Sequence, residues 1–227
     1  MNKMFARVAL CVLALSLVSL AADRTLVTTK AVKGGHPTKV ETPSPETVYF
    51  LNNFDTNTTG TYYCCSGNVI AGPNNADGEP PFNEAIQFTI SSASHITGLA
   101  TAVSYIVPAT STTFQFEIEA DASGVPSGTP INTHPYNVTV DSEVFGACCQ
   151  IESHEIFGGG LSLPAGTYWV VWGTSASSDL FAEVNQSIRN QITDVNVAYS
   201  STGGGAGSWN GYSTNLPFAV RVKGTTP

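Results

Sequence analysis

Positive charge is scarce in this sequence. Nine Lys and Arg stand against seventeen Asp and Glu, and charged residues make up only 11% of the 227-residue chain. Two of the nine, Lys3 and Arg7, belong to a leader described below. Without them, seven basic residues remain and the net charge moves from −8 to −10. No basic cluster survives, which excludes nucleic acid and anionic membrane as expected partners. The sequence also lacks the motifs of common enzymes: G-x-S-x-G, H-E-x-x-H and the phosphate-binding P-loop are all missing. No segment carries a long helical period, and no solenoid or propeller repeat is present. C-x-x-C is absent, which argues against a thioredoxin-like redox site.

Only one long apolar run exists, Val8–Leu20, and it is too short to span a bilayer comfortably. It follows Lys3 and Arg7 and precedes "SLAAD", whose small residues suit cleavage after Ala21. Residues 1–21 therefore read as a secretory signal peptide, with a retained anchor helix as the weaker alternative. Cleavage leaves no membrane span and implies a secreted, extracellular or cell-surface location. Cys11 sits within the run after Leu10, which does not fit a lipid-attachment site, and leaves with the leader.

The mature chain is rich in Thr, Ser, Gly and Asn, as exported all-β proteins are. Residues 22–46 carry Gly34-Gly35, Pro37, Pro43 and Pro45 without an apolar period, and read as a flexible arm or linker. Inside them, "RTLVTTKAV" has strand character and is suited to pair with a sheet edge in its own molecule or a neighbour's.

Residues 47–227 alternate strand-length segments with turns. In "EAIQFTI", Ile86, Phe88 and Ile90 share one face; in "TTFQFEIEA", Phe114, Phe116 and Ile118 do. In "LPFAVRVK", Phe218, Val220 and Val222 face inward, with Arg221 and Lys223 outward. That period of two marks half-buried strands. "ITGLATAVSYIV" and "GTYWVVW" are apolar throughout and suit central strands. "LFAEVNQSIRNQ" is the one stretch read as a short turn of helix. The expectation is a single all-β domain, an antiparallel β-sandwich, jelly-roll-like and disulfide-stapled.

The four mature cysteines come as adjacent pairs, Cys64-Cys65 and Cys148-Cys149. Adjacent thiols do not match the spaced ligands of a zinc site, and export favours disulfides. Neighbouring strand residues point to opposite faces. Antiparallel pairing of the two segments would set Cys64 opposite Cys149 and Cys65 opposite Cys148. Such bridges close loops on the order of 80 residues, worth about 4 kcal/mol in the chain-entropy model. Two vicinal bridges, each closing a strained eight-membered ring, are the alternative.

The stretches "YYCCSGNVIAGP", "FQFEIEADASGVPSGTPI", "FGACCQIE", "LSLPAGTYWVVW" and "PFAVRVKG" together resemble the bacterial exported domains called choice-of-anchor R. The resemblance runs over about Val48–Gly224 and rests on the paired CC motifs, the GVP turn and the AGTYWV strand. It implies an exported domain held at the cell surface and no particular reaction. The sequence departs from the family in ending at "GTTP" rather than in a sorting or anchoring tail, so secretion or assembly through the arm is expected instead.

Several residues are candidates for sites. Asn74, Asn75, Asp77 and Glu79, or Asn53, Asp55 and Asn57, offer the hard oxygens calcium takes, although Asn-Asp-Gly runs are also ordinary turn formers. Trp209 and Tyr212 in "GSWNGYS" offer rings for stacking on a sugar, unless Trp209 anchors its own loop. Trp169 and Trp172 point to opposite faces of one strand, so at least one is expected in the core. Glu152 and His154 share a strand face, as do Glu117 and Glu119, the latter spaced like a glycosidase pair. Both pairs are also what a solvated strand face looks like. Asn57, Asn137 and Asn185 stand in N-x-[ST] sequons. The leading expectation is a non-enzymatic structural or adhesive protein at or beyond the bacterial cell surface. Its expected partner is a second copy or a surface glycan. A carbohydrate-binding module comes next and a secreted hydrolase third.

Overall fold

The computed structural model describes residues 32–34, 47–54, 62–106, 112–132, 135–140, 150–156, 159–187, 195–205, 207–214 and 217–226; at 32–34, 62–66 and 150–153 only the backbone is described. These residues form fifteen strands. The first five are β1 (Val32–Gly34), β2 (Val48–Asn52), β3 (Tyr62–Ala71), β4 (Asn83–Ile90) and β5 (Ser94–Tyr105). The next five are β6 (Thr113–Asp121), β7 (Pro126–Pro130), β8 (Tyr136–Thr139), β9 (Gln150–Glu155) and β10 (Leu161–Leu163). The last five are β11 (Gly166–Gly173), β12 (Phe181–Ser187), β13 (Val195–Ser200), β14 (Asn210–Thr214) and β15 (Val220–Thr225).

Every pairing among them is antiparallel, and the strands divide into two sheets. The first runs β1-β3-β12-β5-β15-β2, with β9 and β10 also beside β5. The second runs β14-β13-β4-β11-β6-β7, with β8 also beside β6. The all-β antiparallel expectation holds. The two sheets share one core: Ile70, Val103, Val184, Val220 and Val222 of the first meet Ile86, Phe88, Phe116, Ile118, Val170 and Trp172 of the second. Each inward position follows from the alternation in the sequence, because only one face of a pleated strand meets the opposite sheet.

The long apolar segments take central places. β5 bonds to β12 and β15 on one side and to β9 and β10 on the other, while β11 lies between β4 and β6. The expectation of helix within "LFAEVNQSIRNQ" is corrected. Phe181–Ser187 is strand β12, buried along its whole length and paired with β3 and β5. Its outward residues Glu183 and Asn185 are polar yet fully buried, so the pattern does not read as in-and-out. Pairing on both sides overrides the local preference.

Part of the arm belongs to the first sheet. Val32, Lys33 and Gly34 pair with Cys64, Tyr63 and Tyr62 of β3. The next strand, β2, lies at the opposite end of that sheet's strand order, beside β15.

Candidate functional site

The β3 edge, where β1 docks, is tied into the sandwich by a polar cluster beneath it. Asn68 of β3 points inward like Ile70 two residues on. Its Nδ2 donates to the Tyr212 hydroxyl of β14 at 2.8 Å, and its side chain also bonds to Glu84 of β4. One carboxamide thus links the first sheet to two strands of the second. Tyr199 closes the cluster, edge-on to Tyr212 with ring centroids 6.2 Å apart and stacked on Phe82 at 6.1 Å. Trp172 lies opposite Glu84 in register. Glu84 is buried, and burial raises its carboxyl well above the usual range, only partly offset by the bond from Asn68. Its Oε2 and the Trp172 Nε1 have no hydrogen-bond partner among the described residues. Burial also raises the Tyr212 phenol, and the charge of Glu84 adds to that.

A second carboxyl cluster lies on the outer face of the second sheet. Glu117 and Glu119 point outward as alternation requires, but the expectation of an exposed pair is corrected. Glu119 is 1% exposed because β7 folds over it, and its Oε2 accepts from the Gly128 amide. Burial pushes its carboxyl up to about 7 and the charge of Glu117 adds to the rise, while the Gly128 and Thr129 amides and the Ser127 hydroxyl oppose it. Beside it, Asp121 Oδ1 accepts from Trp169 Nε1 at 2.9 Å and from Gln87 Nε2 at 3.1 Å. Asp121 Oδ2 accepts from the Gly124 amide at 3.1 Å. These bonds hold the β6–β7 turn rather than present free acids to a substrate.

Trp209 is also committed to the fold. Its indole is 8% exposed, packs with Ala85, Trp169, Val171 and Ala198, and donates to the Gly204 carbonyl at 3.0 Å. The Gly-rich loop covers the ring that was expected to stack on a sugar, and Tyr212 turns its hydroxyl inward. Both Trp169 and Trp172 are fully buried, on opposite faces of β11.

Two of the candidate calcium residues, Asn75 and Asn53, are likewise engaged in the fold. Asn75 Oδ1 accepts from the Glu79 amide, and Nδ2 donates to the Gly72 and Glu79 carbonyls at 2.7 and 2.8 Å. Asp77 and Glu79 are exposed. Asn53 is fully buried: Oδ1 accepts from the Val220 amide at 2.6 Å and Nδ2 donates to the Phe218 carbonyl. Asp55 and Asn57 lie outside the described residues.

The cysteine segments are only half in view. Cys64 and Cys65 lie on β3, while Cys148 and Cys149 fall outside the described residues. β9 begins at Gln150, and β12 and β5 stand between it and β3. Direct strand pairing of the two cysteine segments is therefore not among the described pairs. His154 of β9 stacks on Tyr136 with centroids 4.8 Å apart, and burial lowers its imidazole, partly offset by Glu155. Glu155 itself pairs with Lys223 at 2.6 Å.

A further buried polar cluster lies on the outward face of the first sheet and has no counterpart among the residues singled out from the sequence: Asn185 Nδ2 donates to Glu183 Oε1 at 2.7 Å and to Ser104 Oγ at 3.3 Å. The only available signal was the run of polar residues in a segment that turned out to be a doubly paired strand. Compared with family models, curated proteins and solved structures, the chain matches none.

Proposed function

We propose that this chain is a secreted, non-enzymatic β-sandwich of jelly-roll type, acting as a structural or adhesive component at or beyond the bacterial cell surface and assembling through residues 22–46. The observation that carries the reading is the place of Val32–Gly34 at the edge of the first sheet, on β3. A strand supplied by a terminal arm completes a neighbour's sheet with the same backbone bonds it makes at home, so exchange costs little beyond association. The signal peptide and the choice-of-anchor R resemblance agree with an exported location. Disulfides among Cys64, Cys65, Cys148 and Cys149 suit that compartment.

The competing readings draw less support. Trp209 lies under its own loop, which removes the obvious platform for a glycan. Glu119 of the Glu117–Glu119 pair is buried under β7 and bonded to the Gly128 amide, which draws it away from the role of a paired acid. Light scattering on the mature protein tests the proposal. Oligomers are expected that fall to monomers when residues 22–46 are deleted, with the far-ultraviolet β signal retained. An unchanged particle mass after the deletion overturns it.

A further inference from the structure

We propose that Ser162 is an acyl-acceptor site: its hydroxyl, with His95 as the base, takes an acyl group from an activated ester or thioester and holds it on the outer face of the first sheet. This goes beyond assembly through the arm and asks for no turnover, since each chain keeps the acyl group it receives.

Alternation places the pair. β10 reads Leu-Ser-Leu and lies antiparallel on β5, with Leu161 opposite Ile96, Ser162 opposite His95 and Leu163 opposite Ser94. Leu163 and Ile96 are buried in the core and Leu161 packs against it, so Ser162 and His95 between them face outward. Ser162 is exposed, and its Oγ stands 2.9 Å from His95 Nδ1. That is the reach of a nucleophile and its base. With the ring proton on Nε2, Nδ1 accepts the hydroxyl proton. Among the described residues neither side chain makes another hydrogen bond.

The backbone supplies a further donor. The His95 carbonyl points to Gly224 of β15, where a Cβ would come within 2.1 Å of it. The Ile96 carbonyl points the other way, to Gly160 beside β10, where a Cβ would stand 2.5 Å from it. Ser162 and His95 are therefore a non-hydrogen-bonded pair, the arrangement that brings opposed side chains closest. It also turns the Ser162 amide away from β5, to a side of β10 with no strand among the described residues. The amide of the nucleophile's own residue is one of the donors that hold the oxyanion in acyl transfer. Gly159 and Gly160 lead into β10 with φ of 94° and 84°, and a Cβ on Gly159 would meet nothing within 4 Å. No side chain ahead of the strand crowds the hydroxyl.

The step balances. Ser162 Oγ attacks the acyl carbon while its proton passes to His95 Nδ1. The Ser162 amide holds the oxyanion of the tetrahedral intermediate. Its collapse breaks the bond to the leaving alkoxide or thiolate, which takes the proton from the imidazolium. The products are a Ser162 ester and a free alcohol or thiol. No carboxylate is bonded to the His95 ring among the described residues, so no third group orients the base as in a triad. One amide donor and an unoriented base fit a single acylation better than repeated turnover.

Incubating the full mature chain with p-nitrophenyl acetate tests this, read by mapping acetyl groups that hydroxylamine removes, as it removes esters. Such an acetyl is expected on Ser162, and Ser162→Ala should abolish it. His95→Gln keeps a hydrogen-bonding side chain beside the hydroxyl but supplies no base. It should slow acetylation of Ser162 about 100-fold while leaving the melting temperature unchanged. Ser127 serves as the internal standard, because its hydroxyl donates to the Thr129 carbonyl at 3.1 Å and has no base beside it. Equal labelling of Ser162 and Ser127, or an unchanged rate in His95→Gln, would overturn the proposal and leave the pair as a tie between β10 and β5. Acetyl groups carried by lysines alone would overturn it as well.

Discussion

Glu84 and Glu119 belong to the same sheet, and both are almost wholly buried, yet they point in opposite directions and are accommodated differently. Glu119 faces outward into backbone amides: the chain turns back over it as β7, and Gly128 and Thr129 help hold its charge. Glu84 faces inward among aromatic rings, with a bond from Asn68 and one oxygen unpartnered among the described residues. The outer face of this sheet is therefore a built surface, roofed by the β6–β7 turn and by the loop that carries Trp209. Its inner face is an apolar core interrupted by one acid. Direction along a strand is fixed by alternation, but burial depends on what folds over each face. The same side-chain type can thus be a clamp on one face and a cost on the other.

Two tryptophans break this comparison most sharply. Trp172 sits at the centre of the core, edge-on to Phe218 with centroids 5.2 Å apart. Trp172→Ala should destabilise by about 3–5 kcal/mol in urea unfolding. Trp209→Ala removes a ring of the same size from under a surface loop that can close over the gap, and should cost clearly less. Equal losses would mean that the outer cluster is as much a core as the inner one.

The inner face was the legible part of the fold. Ile86, Phe88 and Ile90, then Phe114, Phe116 and Ile118, then Phe218, Val220 and Val222 could be assigned to the core because polar residues separate them. β12 was not legible, since its polar Glu183 and Asn185 are buried by packing that no local pattern encodes. The Glu119 site was hidden for a related reason. Its burial depends on Pro126–Pro130 returning across β6, a tertiary event with no signature beyond the turn residues. At the β3 edge, the strand character of the arm could be read but not the strand that receives Val32–Gly34.

The two glutamates also predict a pH dependence. Both carboxyls hold protons more tightly in the folded than in the unfolded chain. Between the unfolded value near 4.3 and the folded value the native state binds more protons, so stability is greatest at low pH and falls as pH rises. For Glu119 that window closes at about 7. His154 acts in the opposite sense, since its lowered imidazole costs stability as pH falls through about 6.5. It is only partly buried, so the carboxyls should dominate. The unfolding free energy from urea titration is expected to be higher at pH 5.5 than at pH 8, by on the order of 2 kcal/mol, with a correspondingly higher midpoint. Glu119→Gln should flatten the part of that slope below pH 7, and Glu84→Gln should raise stability most at pH 8. A midpoint that rises with pH would contradict the assignment of both groups.

Smaller effects test whether the tie between the sheets contributes as drawn. Tyr212→Phe removes the acceptor of the Asn68 bond and should cost about 1 kcal/mol. The loss should shrink in the Glu84→Gln background, because all three side chains form one cluster and their effects do not add.

The smallest contrast lies in the turn between β3 and β4, where neighbouring residues of similar chemistry have unequal roles. Asn75 makes three bonds that close the turn onto Gly72 and Glu79, whereas Asp77 is exposed. Asn75→Ala should cost about 1–2 kcal/mol, because buried backbone groups lose their partners. Asp77→Ala should stay within about 0.5 kcal/mol, as surface changes usually do. Calcium sharpens the distinction. A turn closed by the Asn75 carboxamide should melt at the same temperature in millimolar calcium and in chelator. A calcium-dependent rise in melting temperature that Asp77→Ala abolishes would instead assign those oxygens to an ion, and the turn would be organised from its exposed side.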